Sequence, residues 1–220
     1  MKFRCERDVL AEAVGAAGRA ATNRTGTLPV LAGVRIEVSG DRLTVTGTDL
    51  ELTIRLTVDV GGERDGAAVV PARLVGDIVK ALPAGAVSIE LHDEEMSISA
   101  GRSQFSVRPL SLEDYPSQSE PSGDAVTLSA EVVADALRQV VRAASTDDAR
   151  AVLTGVLLAA EDDGLRLVAT DSYRRAVRVL PENAVLAAGQ PVLIPGRAVC
   201  VGQGLWGEAA VLVVRGGVGE

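Results

Sequence analysis

The sequence has few aromatic residues and no long hydrophobic run. Aromatic residues occupy 2% of its 220 positions, so the core must be built from valine, leucine, isoleucine and alanine. No apolar segment approaches the roughly 18 residues that cross a bilayer, and the first residues lead into charged sequence instead of the apolar core of a signal peptide. We therefore expect a cytoplasmic protein without membrane contact.

Histidine and cysteine are almost absent. His92 is the single histidine, so multi-histidine metal sites lack ligands, and its place in a polar turn, residues 92–95, argues against a His-dependent catalytic triad. Cys5 and Cys200 stand alone near opposite ends, so the sequence offers neither a disulfide framework nor a CxxC motif. We expect two buried thiols, and neither metal binding nor familiar hydrolase chemistry.

Positive charge is outnumbered by negative charge. The chain has 22 Lys and Arg against 30 Asp and Glu, which gives a net charge of −8. This balance argues against a protein that binds nucleic acid by overall attraction, but it leaves room for a local basic surface.

The sequence contains one plan twice. A segment rich in serine and proline, residues 111–123, interrupts the apolar pattern and predicts a linker. On either side, three segments recur in the same order at offsets of 122 to 124 residues: 30–34 with 152–156, 48–49 with 170–171, and 70–73 with 194–197. A period this long indicates duplicated domains instead of a solenoid. We expect one domain over 1–120, a linker region over 111–125 and a second domain over 126–220.

Each copy is predicted to contain helices and antiparallel strands in alternation. An amphipathic helix opens the first copy around Val9 and Val14, and Ser129 is a suitable N-cap for its counterpart in the second. Alternating apolar residues over 34–60 and 87–107 predict strands, and Pro71 opens a second helix that Pro83 ends. The fold class is α+β, with the helices gathered on one side of antiparallel sheets.

Two short motifs point to other functions. Residues 202–207 match GxGxxG, but they lack the preceding strand, the following helix and the acidic partner that a dinucleotide site needs. Asp49 and Glu51 share a face if their segment is a strand, which is a spacing that a magnesium-dependent nuclease uses. The second copy has Tyr173 in place of Glu51, and a solvated strand end is the alternative interpretation.

The basic residues are concentrated on the predicted helices. Their positions on the four helices, in chain order, are Arg7, Arg19 and Arg24, then Arg73 and Lys80, then Arg138 and Arg142, then Arg197. If the helices line one surface, that surface is basic on an acidic protein. The alternative is ordinary solvated arginines on helix surfaces.

Several segments resemble a known family. Residues 1–3, 27–31, 47–51, 70–73, 101–106 and 114–116 resemble the first domain of the bacterial DNA polymerase III beta subunit, the sliding clamp, and residues 169–174 and 193–195 resemble its second. The resemblance implies tandem clamp domains, with antiparallel sheets outside and two helices per domain on the inner face of a head-to-tail dimeric ring. It implies a non-catalytic processivity factor that tethers the replicative polymerase to duplex DNA, without a cofactor.

The resemblance also assigns residues to two surfaces. It places Arg24, Arg73, Lys80 and Arg197 against DNA of any sequence, whereas Arg138 and Arg142 follow from helix position only. It places short peptide motifs of the polymerase, the clamp loader and repair proteins in a pocket that includes Leu153, Thr170, Ser172, Tyr173, Arg174 and Arg175. The family usually has leucine where this chain has Arg175, so its guanidinium is expected to point outward or to spoil an apolar subsite.

The second copy departs from the family toward its end. Glycines weaken the helix expected over 196–206, by roughly 1 kcal/mol each relative to alanine. By the repeat, the closing strands of the second domain and the whole third domain are expected to be missing. The alternative function is therefore a ring-incompetent clamp paralogue that serves as a protein-interaction module or has no activity.

Overall fold

The computed structural model describes residues 1–21, 28–92, 94–117, 130–161, 164–181 and 191–202. The chain divides into two compact units, Met1–Gln118 and Ser119–Glu220, and each is described by itself. Among the described residues, no helix is both long enough and apolar enough to span a membrane.

The described part of the first unit contains two helices and nine strands. In chain order they are β1 (Lys2–Glu6), α1 (Arg7–Gly18), a 3-10 turn (Pro29–Ala32), β2 (Gly33–Ser39), β3 (Arg42–Thr48), β4 (Thr53–Asp59), β5 (Gly61–Arg64), β6 (Gly66–Pro71), α2 (Ala72–Ala81), β7 (Ala86–His92), β8 (Glu95–Ala100) and β9 (Ser103–Val107). The strands form two antiparallel sheets, in the orders β4-β3-β2-β6 and β5-β1-β7-β8-β9.

The described part of the second unit repeats half of this plan. Its elements are α3 (Ala130–Val141), a 3-10 segment (Asp148–Leu153), β10 (Gly155–Glu161), β11 (Gly164–Thr170), β12 (Arg175–Leu180), β13 (Val192–Pro195) and α4 (Gly196–Gly202). The sheet order β12-β11-β10-β13 matches β4-β3-β2-β6 strand for strand. The predicted α+β class with repeated clamp-type units is confirmed.

In each unit the helices cover the apolar face of a sheet. The stripe Leu10, Ala13, Val14 and Ala17 of α1 packs in one core with alternate residues of β2 and β3, and α1 also packs against α2. The corresponding stripe of α3, 123 residues later, is Val133, Ala136, Leu137 and Val140, and it packs on β10 and β11. Because strand residues alternate between faces, the remaining residues of these strands form an outer face in each sheet.

Several details differ from what the sequence predicts. Val9, expected on the buried stripe, is 37% exposed. The sequence pattern does not predict β1, β5 or β6. In β1 only Phe3 is fully buried, and β5 has no apolar side chain, so these two strands lack the apolar alternation that indicates a strand. Cys5 is half-buried, as free thiols often are, but Cys200 is exposed, because it lies one helical turn after the exposed Arg197 on the same side of α4. Ser129 and all but the first residue of the 202–207 motif lie outside the described residues.

The start of the predicted linker, with Leu110 just before it, is packed onto the first unit. Leu110 pairs with Val69 of β6 in an antiparallel bridge, and its N–H donates to the Val69 carbonyl at 2.7 Å. Tyr115 is buried, and its hydroxyl donates to the Thr46 carbonyl at 3.0 Å. The chain therefore runs across the outer face of the first sheet before it reaches the second unit.

Candidate functional site

Helix α2 presents two of the predicted basic residues on one exposed side. Arg73 and Lys80 are exposed and seven residues apart, which places them two helical turns apart on nearly the same face. Val75 and Val79, on the opposite side, are buried in the core and fix the orientation of the helix. The apolar stripe of the sequence is thus what directs these cations to solvent.

Acidic residues are interspersed with these cations. Asp77 is exposed between Arg73 and Lys80, and Asp8 and Glu12 are exposed on α1. Acids near a helix N-terminus are favoured by the helix dipole, so Asp8 has a structural role there. The helical layer of the first unit is therefore mixed in charge and not uniformly basic.

Two arginines near α1 have different environments. Arg7 pairs with Asp8, with 2.6 Å between Nη2 and Oδ1, and its Nη1 donates to the Leu82 carbonyl at 3.2 Å. The second contact ties the start of α1 to the end of α2, which makes Arg7 a structural residue. Arg19 is exposed just after α1 ends.

Helix α3 carries the corresponding cations of the second unit near its C-terminal end. Arg138 and Arg142 are exposed and one turn apart, and Nη2 of Arg138 lies 3.3 Å from Oδ1 of Asp135. Arg142 occupies the position of Arg19 in the repeat, 123 residues later. Arg197 is exposed on α4. Arg24 lies outside the described residues.

The acidic pair that fits the spacing of a magnesium-dependent nuclease lies in a turn, not on a strand. Oδ1 of Asp49 accepts from the N–H of Glu51 at 3.1 Å and from the N–H of Leu52 at 2.7 Å. Leu50, between them, has a φ of +80°, so the segment is not a strand and the condition for the two carboxylates to share a strand face is not met. Among the described residues, no group of three His, Cys, Asp or Glu side chains is placed to hold a metal ion.

The second unit repeats this turn at Thr170–Arg174. Oδ1 of Asp171 accepts from the N–H of Tyr173 and of Arg174, both at 2.9 Å, and Ser172 has the same φ of +80° as Leu50. Hydrogen bonds from the backbone N–H groups lower the pKa of Asp171 below its usual value, with the larger effect from Arg174 and the smaller from Tyr173. The shared Thr-Asp pair is therefore explained by the turn that it builds.

The residues predicted to form a peptide pocket lie at one end of this sheet. Thr170 ends β11, Arg175 begins β12, and the turn between them exposes 94% of Tyr173. Leu153, half-buried, ends the 3-10 segment that leads into β10. Arg175 is exposed.

One further residue joins the pocket segments. Nη1 of Arg150 lies 3.5 Å from Oγ of Ser172, and Nε of Arg150 lies 3.0 Å from Oδ2 of Asp147. The 3-10 segment and the β11–β12 turn are linked by this side chain. Sequence reasoning missed Arg150, although its three-residue spacing from Asp147 was a signal.

Comparison with known families matches both units. Residues 1–119 match the family model described as DNA polymerase III beta subunit, N-terminal domain, and residues 127–208 match the one described as the central domain of the same subunit.

Curated relatives agree with this match. The chain is 38% identical over 202 residues to the beta sliding clamp of Streptomyces coelicolor, covering 90% of this chain and 53% of that protein. It is 34% identical over 209 residues to the beta sliding clamp of Staphylococcus epidermidis, covering 90% of this chain and 55% of that protein. The chain thus spans about half the length of these relatives.

Solved structures show the same architecture. The DNA polymerase sliding clamp of Bacillus subtilis superposes with a TM-score of 0.87 at 30% identity, covering 94% of this chain and 57% of that chain. A sliding clamp of Pseudomonas aeruginosa bound to griselimycin gives a TM-score of 0.87 at 29% identity, with the same coverages of 94% and 57%.

Proposed function

The chain belongs to the family of the DNA polymerase III beta subunit, the sliding clamps, and from that membership we propose that it is a processivity factor that tethers the replicative polymerase to duplex DNA. The observation that carries the proposal is the repeated unit, in which helices with exposed cations cover one face of an antiparallel sheet. No bond-making step is assigned to the chain.

The helical cations suit contact with DNA of any sequence. Arg73 and Lys80 on α2, Arg138 and Arg142 at α3, and Arg197 on α4 are exposed and able to meet phosphates. Phosphate contacts hold a duplex without reading bases, so a protein bound in this way slides along it. The acids between these cations, such as Asp77 and Asp135, keep the attraction moderate, which suits sliding.

Tethering further requires that the protein surround the duplex. The sheet edge at β9 supports self-association, because β9 pairs only with β8 among the described residues and exposes 40% of Phe105. An open strand edge with an apolar side chain is a template for pairing with another strand. We propose that clamp units meet there, and that partner proteins bind the second unit through short peptides.

Retention on circular DNA tests the tether. The chain is loaded on nicked plasmid with its cognate clamp loader and ATP, and DNA-bound protein is separated by gel filtration before and after the plasmid is linearised. We expect retention on the circle and loss from the linear form. Equal retention on both forms, or a monomer that is never retained, would overturn the proposal and favour a ring-incompetent interaction module.

The helical cations are tested by the salt dependence of DNA binding. The double variant Arg73→Ala, Lys80→Ala is expected to lower the slope of log K against log salt concentration by about 0.9 for each phosphate that the variant no longer neutralises. The matched control, Arg4→Ala with Arg64→Ala, removes two exposed cations from β1 and β5, at the edge of the five-stranded sheet opposite β9, and should leave the slope unchanged.

A further inference from the structure

The five-stranded sheet of the first unit has a cleft on the face that points away from the core. Phe3 of β1 and Ile89 of β7 lie opposite each other and are buried, so the residues next to them along each strand point outward. The cleft has a volume of about 300 Å³, and Arg4, Ser88 and Ser99 are among the residues that line it. It is large enough for a small molecule or for one side chain of a partner protein.

Small residues beside a single large one create this cleft. Arg4 pairs with Gly61 of β5 on one side and with Ser88 of β7 on the other, and Ser88 pairs with Ser99 of β8. Directly paired residues share a face of the sheet. Ala86, two residues before Ser88, also lines the cleft. The arginine therefore stands beside a shallow floor that bears two hydroxyl groups.

The guanidinium of Arg4 has no bonded partner within the described part of the chain. It is exposed, and it forms neither a hydrogen bond nor an ion pair with any described residue. Lys2, on the same face of β1, differs, because its Nζ lies 2.9 Å from Oε2 of Glu63 and 3.9 Å from Oε2 of Glu90. Protein carboxylates thus contact Lys2, whereas Arg4 is available to an anion from outside.

The two serine hydroxyls are also available. Oγ of Ser99 lies 3.5 Å from the Ser88 carbonyl oxygen, beyond the usual O–H···O distance of about 2.8 Å. Oγ of Ser88 has no hydrogen-bond partner among the described residues, and both serines are half-buried. Because a hydroxyl rotates to donate its one proton, each can turn toward a ligand at little cost. Two hydroxyl donors and one guanidinium therefore face the same cleft.

These donors suit a carboxylate. A planar guanidinium offers two parallel N–H donors at the spacing of the two carboxylate oxygens, and hydroxyl groups can donate to the remaining lone pairs. Glu63, which pairs with Lys2, also lines the cleft, and Glu6 is exposed two residues after Arg4 on the same face. Both acids repel a doubly charged ligand such as a phosphate monoester more strongly than a single negative charge.

We propose that this cleft, with Arg4, Ser88 and Ser99, is a binding site for a singly charged carboxylate, supplied by a small molecule or by an acidic side chain of a partner protein. Arg4 holds the two carboxylate oxygens, and the two serine hydroxyls donate to the same group. Lys2 stays paired with Glu63 at the rim. The site uses none of the helical cations, so its binding needs neither DNA nor a ring.

The probe is the methylamide of N-acetylglutamate, which has one carboxylate, titrated into the isotope-labelled full chain. We expect saturable amide chemical-shift changes at Arg4, Ser88 and Ser99. The same compound made from glutamine has nearly the same shape without the charge and should bind at least about tenfold more weakly. Propionate separates the two sources of the carboxylate. Binding within about threefold of the glutamate probe indicates a small molecule, and weaker binding indicates a side chain held by its peptide backbone.

Variants of the chain assign the contacts. Arg4→Gln should weaken binding of the glutamate probe at least about tenfold, because it removes the charged donor. Arg4→Lys keeps the charge but loses the paired N–H groups and should weaken binding about fivefold. Ser99→Ala removes one donor and should weaken it about threefold. The matched control is Arg108→Gln, which changes an exposed arginine at the far end of β8 from Ser99 and should leave binding unchanged.

Three results would each overturn the proposal: no saturable shift change, equal binding of the glutamate and glutamine probes, or unchanged affinity in Arg4→Gln. The salt dependence of DNA binding by Arg4→Gln separates this site from the proposed function. We expect an unchanged slope, whereas a lowered slope would make Arg4 a phosphate contact and overturn the assignment to a carboxylate. Loss of DNA retention in the unmodified chain would overturn the proposed function and leave the carboxylate titration unaffected.

Discussion

The two sheets that share a strand order differ most on their outer faces. Inward residues correspond closely, as Val34 and Ile36 of β2 do with Val156 and Leu158 of β10, and all four are buried. Outward, Arg35 stands where β10 has Leu157. Packing against the helices restrains the inner face of each copy, whereas the outer face follows whatever lies over it.

A second difference between the two units is how closely the first helix of each approaches its sheet. Gly47 of β3 and Ala169 of β11 occupy the same place in the repeat, 122 residues apart, and both are buried. A Cβ on Gly47 would lie 2.0 Å from the Ala17 carbonyl oxygen, so α1 approaches β3 at the distance that only glycine allows. The second unit already accommodates a methyl group at the corresponding site.

The largest expected effect on stability therefore comes from giving each unit the residue that the other has at this position. Gly47→Ala forces α1 away from β3 and should lower the free energy of unfolding of the first unit by about 3 kcal/mol or more. Ala169→Gly removes one methyl group and should cost the second unit about 1 kcal/mol. Amide hydrogen exchange in urea, measured separately for the residues of each unit, gives both free energies of unfolding. Equal losses of stability in the two variants would contradict the proposed difference in packing.

The two thiols provide the next comparison. Burial raises the pKa of Cys5 to about 11, with a smaller contribution from Glu6, whereas Cys200 is exposed. Since the thiolate is the nucleophile, Cys5 should react with iodoacetamide at pH 8 on the order of a hundredfold more slowly than an ordinary thiol of pKa about 8.5. Mass mapping of the alkylated sites measures both rates, and Cys200→Ser, which leaves only Cys5, is the control. Similar rates would show that β1 does not shield Cys5.

The covering segment of the first sheet gives a smaller effect. Tyr115→Phe removes the hydroxyl that donates to the Thr46 carbonyl but keeps the ring over Val30 and Val69. The expected loss is about 1 kcal/mol in the free energy of unfolding of the first unit, measured by urea denaturation. Tyr173→Phe changes the exposed tyrosine of the second unit and should have no measurable effect. A loss below the error of the method would mean that the hydroxyl is equally well satisfied by water.

The sequence was sufficient for the repeat, the helices and most strands. The alternation of Val34, Ile36 and Val38 predicts β2 because it reports directly which side chains face the core. β5 was missed because its residues, Gly61–Arg64, have no apolar side chain, and its place in the sheet is decided by pairing with β1.

The surfaces were harder to predict than the core. Val30 and Val152 are the same residue in the same repeated motif, yet one is 5% and the other 77% exposed. Val30 is covered by residues 110–115, about 80 positions further along the chain, and the alternation of apolar residues around Val30 gives no sign of this contact. The helical cations could be placed, because an amphipathic stripe fixes which side of a helix faces solvent. Their predicted contacts with DNA, and those of the pocket residues with peptides, stay predictions.

The smallest expected effect concerns the repeated Thr-Asp turn. Folding lowers the pKa of Asp171 through the N–H groups of Arg174 and Tyr173. The folded chain thus holds the ionised carboxylate more strongly than the unfolded chain does, so this stabilisation is complete above the usual value of 3.8 and is lost as the pH falls through the folded pKa.

Carboxyl titration by NMR in one variant and acid unfolding of a second test the cause of this shift and its effect on stability. Arg174→Leu gives the second turn the leucine that Leu52 supplies in the first, and because the backbone N–H groups remain, most of the lowering of the Asp171 pKa should persist. Asp171→Asn keeps an oxygen acceptor but cannot ionise, so acid unfolding of the second unit should lose this pH dependence while the first unit, with Asp49 intact, is unchanged. A return of the Asp171 pKa to its usual value in Arg174→Leu would assign the shift to the guanidinium, and the equivalence of the two turns would then be one of backbone shape alone.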